Sequence, residues 1–226
     1  MSRKVLIIQP HSDDALFDCA HILFSPEYDV NILTVENDER RIKEDEKLYS
    51  FLNIPLQHLN VEFKDDSYYG YKKLYKEVNI ENSYKYLIDY FGKQTVNEIT
   101  ESLRAYLEDY FKKNKFEEYS VLVPWGIGHP FHLFVRDIVS NCISSLCYYR
   151  DFTESYKKRA QSQVEKQLKE YKLISSTPVE SFCEIKWKLA SKFYRSQSGF
   201  LFYEQNYIKK NLPEEIYLKK DDILPF

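Results

Sequence analysis

The chain has 226 residues, enough for one α/β domain with a core of its own, and residues 1–226 are expected to form it. Its 32 Lys and Arg against 35 Asp and Glu leave a formal net charge of −3, which excludes broad electrostatic attraction to nucleic acid or an anionic membrane surface. No apolar stretch reaches the roughly 18–20 residues of a bilayer-spanning helix. No charged-then-apolar leader precedes the first strand, and Cys19, Cys142, Cys147 and Cys183 show no Cys-x-x-Cys spacing. A cytoplasmic protein with free thiols is the simplest reading.

Residues 4–9 form a continuous apolar run of strand length, suited to a parallel strand buried on both faces. Ser12 or Asp13 can cap a helix reaching residue 24. Residues 28–35 read as a second strand, and residues 40–52 as a helix closed by Asn53-Ile54-Pro55. Residues 56–63 suggest a third short strand. The polar, tyrosine-rich stretch 64–82 has no clear period and reads as a surface excursion over the site. Apolar residues at 96, 99, 103, 107 and 111 mark an amphipathic helix over 95–113. A strand over 119–124 leads into the loop Trp125-Gly126-Ile127-Gly128-His129-Pro130-Phe131-His132 and a helix over 133–146. A further strand is expected at 147–152, a charged helix at 157–171 and an apolar-striped helix at 183–193. Strands alternating with helices predict an open, mostly parallel sheet with helices on both faces. Ligands bind such sheets outside the carboxyl ends of the strands, where both histidine-bearing loops fall.

The first of these loops is Pro10-His11-Ser12-Asp13-Asp14, directly after the first strand. Three of the five histidines, His11, His129 and His132, lie in the two loops; His21 reads as a packed or surface residue and His58 as a solvated loop residue. Two imidazoles and a carboxylate with one open position recur in catalytic zinc sites, and His11, Asp14 and His132 can supply them. Zinc lowers the pKa of its water from about 15.7 toward about 7 and polarises a carbonyl. Asp13 is then free to act as general base. His129 can donate to an oxyanion or protonate a leaving group. Each motif alone is weak, because Ser12 and Asp13 could merely cap a helix, but their joint placement after two apolar strands strengthens the reading.

With these residues the sequence resembles the PIG-L/LmbE-like family of zinc-dependent sugar N-deacetylases, whose motifs run Pro/Ala-His-Pro-Asp-Asp-Glu and Gly-His-Pro-Asp-His. Here they read Pro10-His11-Ser12-Asp13-Asp14-Ala15 and Gly128-His129-Pro130-Phe131-His132. The resemblance implies a Rossmann-like fold, His11, Asp14 and His132 as ligands to zinc or another divalent transition metal, Asp13 as base and His129 as support for the tetrahedral intermediate. Arg41-Ile42-Lys43-Glu44 before Leu52-Asn53-Ile54, and Asp66-Ser67 after the third strand, match further family features and make Arg41 and Asp66 substrate-binding candidates. Residues 188–197 are similar to a late family helix ending in Ser/Thr-Gln. The chain departs from the pattern at Ser12, at Ala15 and Phe131, where two carboxylates are replaced, and at Ile127, where many members carry tyrosine. Loss of an acid that orients a histidine costs about 10–100-fold in affinity or activity.

The expected activity is therefore hydrolytic removal of the N-acetyl group from an N-acetylglucosamine-like amino sugar or conjugate. The alternative is an impaired family member that binds carbohydrate without turnover. A nucleotide-binding fold is disfavoured, because no Gly-x-Gly-x-x-Gly follows the first strand.

Overall fold

In the computed structural model, which describes residues 2–36, 38–59, 87–89, 91–114, 118–151, 155–156, 160–177, 183–197 and 213–222, the first apolar run forms strand β1 (Arg3–Gln9). Its side chains alternate between two cores, Leu6 and Ile8 entering one and Val5 and Ile7 the other. A continuous apolar run does this when both faces of a strand are covered. In chain order there follow helices α1 (Asp14–Asp18) and α2 (Ala20–Leu23), β2 (Tyr28–Thr34), α3 (Glu39–Leu52), β3 (Leu56–His58), α4 (Lys93–Lys113), β4 (Tyr119–Pro124), α5 (Pro130–Cys142) and β5 (Cys147–Tyr149). The last elements are α6 (Gln161–Gln167), β6 (Tyr171–Thr177), α7 (Cys183–Phe193), a 3-10 turn (Arg195–Gln197) and β7 (Glu214–Lys219).

Seven strands form one sheet in the order β3-β2-β1-β4-β5-β7-β6. The first five are mutually parallel, and β7 runs antiparallel to both its neighbours. The expected mostly parallel α/β sheet is present. Helices α4, α5 and α6 cover one face through Val96, Leu103, Phe134 and Val164. On the other face lie α1, α2, α3 and α7, through Leu16, Ile22, Leu48 and Leu189.

The single helix expected up to residue 24 is broken at Cys19, whose φ of −132° and ψ of 26° are not helical. The cause is an ion pair inserted into the helix ladder. A continuous helix would bond the His21 amide to the Phe17 carbonyl; instead Lys186 Nζ donates to that carbonyl at 2.6 Å, and the amide donates to Glu214 Oε2 at 2.8 Å. Lys186 and Glu214 are themselves ion-paired and buried, so this contact ties α7 and β7 to the break.

Several other boundaries differ from expectation. Among the described residues of the charged helix expected over 157–171, Gln161–Gln167 is helical, and Tyr171–Thr177 instead pairs with β7 as an edge strand. β5 ends at Tyr149, although the Arg150 amide still bonds to the Glu215 carbonyl of β7 at 2.9 Å. α5 begins at Pro130, where proline's missing donor costs nothing, and ends at Cys142. β3 stops at His58, so this histidine closes a strand and is half-buried. The stretch 64–82, with Asp66, lies outside the described residues. Among the described residues no helix is long and apolar enough to cross a membrane.

Candidate metal centre

After β1 the chain adds β2 and β3 on one side, then returns to add β4 and β5 on the other. The order therefore reverses between β1 and β4, which lie side by side with Ile7 opposite Leu122. In open α/β sheets the crevice at such a reversal, beyond the carboxyl ends, is the ordinary ligand site. The loops carrying His11 and His129–His132 leave the sheet there.

These loops bring three donor atoms together although 121 positions separate the two histidines. His11 Nδ1 lies 2.9 Å from His132 Nε2, and Asp14 Oδ2 lies 3.5 Å from the first and 3.3 Å from the second. Donors bound about 2.0–2.1 Å from a tetrahedral ion stand about 3.3–3.4 Å apart, so the triangle has the size of one face of such a site. The backbone amide of His11 donates to Asp14 Oδ2 at 2.7 Å, which fixes the carboxylate over its own loop. Burial alone would raise the Asp14 carboxyl, but His132 and His11 outweigh it and hold it below the ordinary range. His129 stacks on His132 with ring centroids 4.4 Å apart and meets the His11 ring edge-on at 4.8 Å. His11, His129 and His132 present ring nitrogens within 4.8 Å of one another and could hold a metal ion.

Asp13 sits beside this group and is bound differently. Its Oδ1 accepts from Arg41 Nη2 at 2.8 Å, while Arg41 Nη1 donates to Glu36 Oε1 at 2.8 Å. The position of Arg41 follows from the local sequence, since Asp38 caps α3 by accepting from the amides of Arg40 and Arg41. Burial raises the Asp13 carboxyl above its ordinary range; Arg41 and His11 oppose the shift, and the neighbouring Asp14 charge adds to it. The guanidinium thus bridges two carboxylates, which makes Arg41 a partner of Asp13.

His132 is held from behind. Its Nδ1 lies 2.7 Å from Asp151 Oδ1, and Asp151 Oδ2 accepts from the Ile127 amide at 2.9 Å. The loop between β4 and α5 passes so close to the helix that a Cβ on Gly126 would lie 2.7 Å from the Leu133 Cα, and its φ of +79° also suits glycine. Phe131 is fully buried and packs on His11 with centroids 5.4 Å apart, so this departure from the motif serves the core.

The structure therefore gathers His11, Asp13, Asp14, His129, His132 and Arg41 at one place. His21, bonded to Glu214, and His58 stay out of the triangle, as expected. Sequence reasoning missed Glu36 and Asp151, which follow β2 and β5, the strands flanking the central pair. A lone acid within two residues of a buried strand's carboxyl end is the signal that could have found them. Comparison of the chain with protein-family models, with curated proteins and with solved structures returns no match.

Proposed function

We propose that this protein is a zinc-dependent hydrolase that removes the acetyl group from the nitrogen of an N-acetylated amino sugar or sugar conjugate, releasing acetate and a free amine. The observation that carries this reading is the triangle of His11 Nδ1, His132 Nε2 and Asp14 Oδ2 at the sheet's reversal point, with a second buried carboxylate, Asp13, beside it. Two imidazoles and one carboxylate suit zinc among divalent metals. The likeness of both loops to the deacetylase motifs supplies the reaction class. Free Cys19, Cys142 and Cys147 suit the reducing cytoplasm, where we place the protein.

His11, Asp14 and His132 would hold the metal, and the chemistry it would supply is Lewis acidity toward the amide carbonyl and water. Asp13 takes a proton from the attacking water as its oxygen adds to the carbonyl carbon. A buried carboxylate with a raised pKa is a stronger base than an exposed one. His129 donates to the developing oxyanion. When the C–N bond breaks, Asp13 or His129 returns a proton to the departing nitrogen. Arg41 orients Asp13 through Oδ1 and leaves its other oxygen for the water.

Metal analysis of the purified protein, combined with amine and acetate detection across N-acetylglucosamine derivatives, tests the proposal. Stoichiometric zinc with acetate release is expected. Asp13→Asn should keep the metal and lose turnover by about 10²–10⁴-fold, the range for a general base; full activity in that variant would overturn the mechanism. Stoichiometric zinc with binding of the sugar but no product would favour the carbohydrate-binding alternative.

A further inference from the structure

We infer that Asp151 is the positioning residue of this centre: it fixes the tautomer and orientation of His132 so that Nε2 faces the other donors. The inference rests on the metal reading above. Asp151 is itself buried and rigidly seated. Its carbonyl accepts from the Ser155 amide at 3.2 Å and from Ser155 Oγ at 2.7 Å, and the preceding residue is tied to β7 through the Arg150 amide and Glu215 carbonyl at 2.9 Å. Both carboxylate oxygens point at N–H donors, one at the Ile127 amide and one at His132 Nδ1. An ionised carboxylate only accepts, so the proton of a neutral His132 ring must sit on Nδ1 and the lone pair on Nε2. That lone pair points to His11 Nδ1 at 2.9 Å, which then donates to it in the metal-free protein. A metal bound at His11 Nδ1 would require this proton to move to the other ring nitrogen, Nε2, so His11 would change tautomer on loading with no net loss of a proton.

The two contacts of Asp151 have separate effects. Oδ1 sets the ring, whereas Oδ2 holds the loop between β4 and α5 at Ile127, two residues before His129. One carboxylate thereby couples the ligand His132 to the position of His129. Carboxylates behind metal-bound histidines orient them and raise their basicity, and their loss costs about 10–100-fold in metal affinity. An asparagine at this position can keep one acceptor for Ile127 only by turning its amide toward His132, which would force the proton onto Nε2 and block the ligand atom.

Two measurements test this. In metal-free protein at about pH 8, above the ordinary histidine range, long-range ¹H–¹⁵N NMR correlations should report His132 as the Nδ1–H tautomer. Zinc affinity, read by competition with a chelator, should fall about 10–100-fold in Asp151→Asn. Tyr149→Phe, which removes the buried hydroxyl donor to the Ile8 carbonyl at 3.1 Å, should lose stability but keep its zinc affinity. An Nε2–H tautomer in the wild type, or unchanged zinc affinity in Asp151→Asn, overturns the inference. The wild-type tautomer needs no variant to fold. Should the wild type bind no zinc at all, the deacetylase reading fails, and the tautomer alone decides whether Asp151 sets the ring.

Discussion

At the scale of single residues, the two adjacent acids Asp13 and Asp14 part company because of what each one faces. Asp14 meets two imidazoles and is held below the ordinary carboxylate range, whereas burial lifts Asp13 above it despite the Arg41 contact. Removing Arg41 takes away a charge that lowers the Asp13 pKa, so that pKa rises further. With Asp13 as the base in the proposed mechanism, it would be deprotonated only at higher pH, and the acid limb of the pH–rate profile in Arg41→Ala should move upward. Glu36 and Asp13 would also lose their shared countercharge. Breaking a buried pair in this way costs about 3–5 kcal/mol, which denaturant unfolding at neutral pH should detect. His132→Ala should lose the metal, while His21→Ala should retain it. Metal content of the two purified variants separates these outcomes.

At the scale of elements, the loop carrying His11 is braced by a buried polar network contributed by β1, β2, α3 and the residue after α7. Gln9 Oε1 accepts from the Ala15 amide at 3.0 Å, and Gln9 Nε2 donates to Thr34 Oγ1 at 2.7 Å and to Asp45 Oδ2 at 3.1 Å. Tyr194 Oη lies 2.6 Å from the Ser12 carbonyl and 2.8 Å from Asp45 Oδ1. One hydroxyl has one proton, so if it serves Ser12 the second contact needs a proton from Asp45. Burial raises Asp45 well above the ordinary carboxylate range, which agrees with a protonated acid. The unfolded acid ionises near pH 3.9 while burial raises the folded one well above that, so the unfolded state binds fewer protons and stability falls as pH rises above about 4. Asp45→Asn can make the same contacts without that proton. Its stability relative to wild type should improve between about pH 5 and about pH 8, as measured by urea unfolding.

The same scale explains what could be read from the sequence. β1 and β4 are legible because both their faces are buried and their central residues, 5–8 and 121–123, are all apolar. α4 is legible because its apolar residues recur at helical spacing. β6 was hidden: it lies at the sheet edge, only Tyr171 among its residues is buried, and its lysine and serines give no clear alternation. The break between α1 and α2 was hidden for a different reason, since the residues causing it, Lys186 and Glu214, lie far away in the chain. In the candidate centre, the two short motifs carried the ligand set, whereas Asp151 and Glu36 belong to no local pattern.

At the scale of the whole molecule, strands on either side of the reversal point each contribute one layer of the site. β1 and β4 supply the donors, and β2 and β5 supply the acids behind them. A metal at the centre would therefore join the segments that follow β1 and β4 and stabilise the folded state. Zinc at a hundred times its Kd contributes about 2.7 kcal/mol, which for a chain of this size is a Tm increase of about 5–10 °C. Differential scanning calorimetry with and without zinc should show that increase in the wild type. In His132→Ala it should be absent.

The adjacency of β1 and β4 also has a temporal meaning. His11 and Asp14 are synthesised before their partner His132, which follows His11 by 121 positions, and the two loops meet only when β4 has paired with β1. Contacts this distant in sequence form late and slowly. A chain still being synthesised thus carries one imidazole and one carboxylate of the donor triangle, too few to retain a metal. A metal at this centre would therefore be acquired after folding, from the pool available to the folded molecule.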